Sequence, residues 1–197
     1  MGELHLHNLN EYLYAHNANV FVETGTGKGE GLAYACKFDF DKLYSIEFVK
    51  DLFDQCETRF QDDPRVTIKH NNSLTGLENL FREDIGPGDR CLFWLDAHFP
   101  GADFHYNSYD YLKENKSVHM PLAEELHRIR TLRDCYRDVF IIDDLQLYEE
   151  GDFELADPEF VKKYGKMDNS FITDNFSETH KFIRDFRHQG FLIMVPK

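Results

Sequence analysis

Two groups of residues in this chain are of types and spacings that could do chemistry. The first is FVETGTGKGEG, residues 21 to 31, where Glu23 stands in front of Gly25, Gly27, Gly29 and Gly31. The second is a set of acids, Asp96 in WLDAH with His98 two residues on, and Asp143 and Asp144 in IIDD. A glycine turn exposes backbone N–H groups and lets a ligand lie close to the main chain. Its usual guest is a phosphate, which a carboxylate at the mouth opposes by on the order of a few kcal/mol at intermediate dielectric.

Two phosphate motifs fail in this register. A P-loop requires Ser or Thr after its lysine and a glycine six residues before it, but Gly29 follows Lys28 and Val22 occupies the earlier position. A dinucleotide fingerprint counted from Gly25 meets Glu30 where its last glycine belongs. The pattern is E-x-G-x-G-x-G, which suits a cation without phosphate. S-adenosylmethionine fits, because it carries a sulfonium and an ammonium and threads its methionine part past the backbone.

At this point the chain resembles the class I, Rossmann-fold S-adenosylmethionine-dependent methyltransferases, whose first motif is an acid followed by GxGxG. The resemblance implies a cofactor site on Glu23, Thr24, Gly25, Thr26, Gly27 and Gly29, with Asp96 beside it. Glu47, at the end of the next strand, is placed to accept hydrogen bonds from both ribose hydroxyls. Asn72 or Ser73 falls where an adenine contact is implied, although capping the helix that begins there is an equally good use of either.

Asp96, Asp143 and Asp144 end two further strands, so in a doubly wound sheet they emerge on the same edge as the glycine loop. Their mutual repulsion should raise at least one pKa, and a hard divalent ion would satisfy them through oxygen. Magnesium is the first choice, with manganese or calcium as alternatives. From about residue 18 to 148 this order resembles the metal-dependent O-methyltransferases of the macrocin and catechol types. That implies Asp96, Asp143 and Asp144 as metal ligands, with catalytic work for Asp96 and for His98, as general base or further ligand. The sugar enzymes tend to carry another Asp near the position of His98, which leaves the base open. The plainer readings are that strand-end Asp residues cap the following turns and that His98 bonds the backbone.

The elements that must position these groups alternate. Strands are expected at 19–23, 42–47, 65–70, 90–98 and 138–144, with helical spacing at 29–38, 48–60, 73–83 and 121–136. This predicts an α/β fold, a doubly wound and mostly parallel sheet, in a single domain over 1–197. Residues 99–120 form a connection about four times the usual length, with five aromatic residues that serve either as packing or as substrate contact. A helix over 176–188, a last strand over 190–195 and a short strand near 171–173 complete the expectation, and the acidic run 148–160 reads as solvated.

The chain has 197 residues, 42% hydrophobic and 15% aromatic, ample for one core, and a formal net charge of -14 that opposes bulk nucleic acid as partner. Four scattered cysteines without a CxxC pair read as reduced thiols. With no apolar run long enough to span a bilayer, a cytoplasmic protein with no membrane partner is expected. The sequence predicts divalent-metal-assisted methyl transfer to a hydroxyl of a small-molecule acceptor such as a sugar, catechol or natural product. The alternative is an inactive adenosylmethionine or nucleoside binder acting as sensor or scaffold, and the aromatic loop is a candidate homodimer contact.

Overall fold

The computed structural model describes residues 2–165 and 167–197. Its centre is a seven-stranded sheet in the order β3-β2-β1-β4-β5-β7-β6. The strands are β1 (Val20–Thr24), β2 (Lys42–Glu47), β3 (Val66–His70), β4 (Cys91–Leu95), β5 (Val139–Ile142), β6 (His180–Asp185) and β7 (Phe191–Pro196). The first five are parallel, and β7 runs antiparallel between β5 and β6. The doubly wound, mostly parallel expectation is met.

Helices cover both faces. They are α1 (Leu9–His16), α2 (Glu30–Ala35), α3 (Lys50–Phe60), α4 (Ser73–Glu83), α5 (Lys116–His119), α6 (Leu122–Leu132), α7 (Pro158–Tyr164) and α8 (Ser170–Phe176). Strand residues alternate between two cores, as the pleat requires. Val20 and Val22 join the cluster under α4, α6 and α8, while Phe21 joins the one under α1 and α2. A strand buried on both faces reads as a continuous apolar run, and VFV and CLFWL are of that kind.

The register matters for function because it aligns the strand ends. β1 lies between β2 and β4, with Thr24 opposite both Ile46 and Leu95. The chain order reverses at β1, and the crevice outside the carboxyl ends at such a switch point is where open α/β sheets bind ligands.

The C-terminal expectations need correction. Residues 171–173, expected as a strand, lie in α8, and the helix expected over 176–188 is the edge strand β6. HKFIRDF offers Phe182 and Phe186 at helical spacing, but pairing with β7, Ile183 opposite Ile193, overrides that local signal. Lys181 and Arg184 stay exposed, which an edge strand tolerates. The acidic run 148–160 is exposed over most of its length, as expected, although Tyr148 is buried, Phe153 and Phe160 pack on the core, and Asp157 caps α7 by accepting the Phe160 N–H at 2.9 Å.

Candidate active site

The glycine loop leaves β1 in a conformation that side chains rarely adopt. Gly25, Gly27 and Gly29 have φ of 81°, 55° and 81°. At Gly25 space is short as well, since a Cβ there would fall 2.4 Å from the Asp96 carbonyl oxygen. The turn is anchored sideways by the Gly25 N–H, donated to the Ile46 carbonyl at 2.9 Å, and α2 follows with Gly29 at its N-cap.

Glu23 lies beneath this loop, 1% exposed. Its Oε2 accepts the Ser45 hydroxyl at 2.5 Å, and Ser45 in turn meets the Thr26 hydroxyl at 2.6 Å. Burial pushes its pKa up to about 8, partly offset by Ser45, with the charges of Asp96 and Glu47 adding to the rise. Read from the sequence as a standing anion, Glu23 in the folded chain is an acid whose ionisation burial opposes.

Glu47 is also buried, and both of its oxygens are engaged. Oε2 accepts the Gly27 N–H at 2.8 Å and Oε1 the Val49 N–H at 2.7 Å. Burial raises its pKa, and these backbone donors oppose the rise. Each carboxylate oxygen accepts more than one hydrogen bond, so ribose hydroxyls would share Glu47 with the loop. Asn72 caps α4, its Oδ1 accepting the Thr75 N–H at 2.9 Å, which is the plainer of its two uses.

These residues open onto a cleft of about 860 Å³. Glu23, Gly25, Thr26, Gly27, Glu47, Asn72, Ser73 and Asp96 line it, whereas Thr24 lies buried below and Gly29 packs against Phe60 and Cys56. Sequence reasoning missed Gly2 and Asn71 on the same walls, whereas Phe104, also there, is one of the five loop aromatics it offered for packing or substrate contact. Nothing local in the sequence marks Gly2, although a Cβ there would strike the Asp96 carboxylate and the Trp94 ring.

The long connection over 99–120 divides its aromatic residues between two tasks. Phe99 and Tyr109 pack on Phe160 and Tyr164, fastening the loop to its own domain. Phe104 instead covers the glycine loop: a Cβ on Gly27 would fall 2.6 Å from its ring, and the Lys28 ammonium stands 5.5 Å from the ring centre. Tyr106 and Tyr111 are exposed.

His98, on the same cleft, stands among the acids. Its Nε2 is 2.5 Å from Asp144 Oδ2, and its Nδ1 is 3.6 Å from Asp96 Oδ1. Burial works against an imidazolium, but the charge and hydrogen bond of Asp144, aided by Asp96 and Asp143, raise its pKa to about 10. Asp96 is pushed up to about 7 by burial, opposed by His98 and reinforced by Asp144. Asp143 is raised well above the carboxylate range, again chiefly by burial. Asp144, at φ 52°, donates its N–H to Asp143 Oδ1 at 2.9 Å.

The three aspartates and His98 therefore do meet. Among the described residues, however, no three His, Cys, Asp or Glu side chains are arranged to hold a metal ion. The donor set has the oxygen chemistry of a hard-ion site, but His98 lies between Asp96 and Asp144 and supplies the positive charge. No described helix is long and apolar enough to cross a membrane.

By sequence the chain matches no family model and no curated protein. By structure it is similar to a protein assigned as a caffeoyl-CoA O-methyltransferase from Staphylococcus aureus, with TM-score 0.60, 15% identity, and coverage of 100% of this chain and 85% of that one. An O-methyltransferase from Bacillus cereus, solved in complex with SAH, gives TM-score 0.60 and 13% identity over 96% of this chain and 79% of that chain. An rRNA methylase from Streptococcus thermophilus gives 0.51 and 14% over 100% and 98%. At such identities the likeness is one of fold, and it is the Rossmann-like architecture of methyltransferases that this chain shares.

Proposed function

We propose that the protein is an S-adenosylmethionine-dependent O-methyltransferase acting on a small-molecule hydroxyl. The observation that carries this reading is the cleft itself: a glycine loop over two buried acids, with a proton-handling pair, Asp96 and His98, lining the same cleft. The O-methyltransferases that share the fold support it, and an rRNA methylase of similar fold is a reminder that the fold alone does not choose the acceptor.

In this mechanism the glycine loop holds the cofactor's methionine part against the backbone, and Glu23 and Glu47 answer its cationic and ribose groups. Phe104 covers the bound molecule and excludes water. Methyl transfer moves CH₃ from sulfonium to an acceptor oxygen and releases one proton. Asp96, held near neutrality, takes that proton, while the His98 imidazolium, already charged, steadies the oxygen as it loses it. His98 thus serves better as a fixed cation than as the base.

The divalent ion is a separate element of the proposal. Asp96, Asp143 and Asp144 would hold it, and it would lower the acceptor hydroxyl's pKa when bound. Because His98 occupies their midst, no step above depends on it.

The test is calorimetric titration with S-adenosylmethionine and S-adenosylhomocysteine, with and without magnesium, followed by turnover with a panel of hydroxyl acceptors. Both compounds should bind wild type. Asp96→Asn should leave S-adenosylhomocysteine affinity within about threefold and cut turnover by about 10²-fold or more. A protein that binds nucleotide phosphates in preference to either compound ends the reading.

A further inference from the structure

A second, smaller cavity lies behind His98, away from the glycine loop. It is walled by His98, Asp143, Leu122, Tyr148 and Glu125, with room for about one water-sized group. Glu125 is the unexpected member. It sits in the first turn of α6, 1% exposed, and its Oε1 has no hydrogen-bond partner. Buried acceptors are nearly always paired, so an open carboxyl oxygen on the wall of a cavity suits a polar guest. The Ser73 and Thr24 hydroxyls draw the Glu125 pKa down in part, but burial dominates and holds it at about 7.

We infer that this cavity is the subsite for a hydroxyl of the acceptor, bound to Glu125 and placed beside His98. This deepens the methyltransferase reading and rests on it. Its size admits a single polar group rather than a ring. A hydroxyl both donates and accepts, so it satisfies Glu125 in either protonation state. An ammonium would stand next to the His98 imidazole, which already occupies the cation position opposite Asp144. Glu125 is a positioning residue: it fixes where the acceptor's polar end lies, and the reacting proton goes to Asp96.

The experiment uses full-length protein saturated with S-adenosylhomocysteine, its binding verified first by calorimetry. Failure at that stage refutes the cofactor reading and leaves the cavity to be judged on its own. Carbon-13-labelled methanol and methylammonium serve as probes, read by NOEs from the labelled methyl to the Leu122 and Leu95 methyl groups that line the cavity. Methanol should give these NOEs in wild type and in Glu125→Gln, which keeps a hydrogen-bonding end. Glu125→Leu, which fills the volume without polarity, should lose them while retaining S-adenosylhomocysteine affinity within about threefold. Absence of methanol NOEs in wild type, their persistence in Glu125→Leu, or stronger NOEs from methylammonium would each overturn the proposal.

Discussion

Glu47 Oε2 accepts the Gly27 N–H at 2.8 Å, tying the acid at the end of β2 to the glycine loop that leaves β1. The residue read from sequence as a ribose partner is therefore also a strut for the loop. Glu47→Ala removes two charge-assisted bonds, to Gly27 and Val49, and should weaken S-adenosylhomocysteine about 10- to 100-fold. Glu47→Gln keeps one acceptor oxygen and should lose less. Calorimetry on both variants checks this, and equal losses would mean that the charge, not the strut, matters.

The buried Glu23 makes both stability and binding depend on pH. Its folded pKa of about 8 lies above the ordinary carboxylate value, so between the two the folded chain holds a proton that the unfolded chain has released. Stability should fall as pH rises through that window and level off above about 8. Glu23→Gln should remove one share of that slope, leaving those of Asp96, Asp143 and Glu125, and add on the order of 3 kcal/mol at pH 8.5, read from urea midpoints at several pH values. Cofactor affinity should change in the opposite sense, rising with pH up to about 8, with proton release visible as a buffer-dependent binding enthalpy.

Phe104 covers Gly27 without fastening the long loop, a task left to Phe99 and Tyr109. Phe104→Ala should therefore leave the melting temperature nearly unchanged and speed S-adenosylhomocysteine release about tenfold, the scale of one partly buried aromatic ring. Stopped-flow displacement measures the rate. A large drop in melting temperature would instead make the ring part of the core.

If Asp96, Asp143 and Asp144 take up a divalent ion, His98 must yield its place among them. Magnesium titration of chelator-treated protein should then shift the His98 ring resonances saturably. Resonances unmoved at about 10 mM magnesium, with full turnover, would leave the cluster as a proton site only.

Gly76 on α4 faces Ile46 on β2, and an added Cβ would lie 2.7 Å from the Ile46 side chain. Gly76→Ala should destabilise by about 1–3 kcal/mol despite its better helix propensity, as overpacking does. Because Ile46 accepts the Gly25 N–H through its carbonyl, cofactor affinity should fall with it.

The amino-acid sequence by itself determined the parallel half of the sheet and part of the lining of the cleft. Strands buried on both faces, such as VFVET and CLFWL, announce themselves as apolar runs, and glycines with an acid in front imply a turn and a guest. These are local signals, carried by residues close in the chain. Tertiary structure alone decided the rest. HKFIRD became a strand because β7 offers it an edge, and Glu47 became a strut because β2 brings it under Gly27. Glu125 lies behind His98 only because α6 carries it there, and the His98 pKa is raised, against the cost of burial, because the fold gathers acids from two strand ends around it. Hydrogen-bond partners and fields of that kind come from residues tens of positions apart, and no periodicity in the chain encodes them.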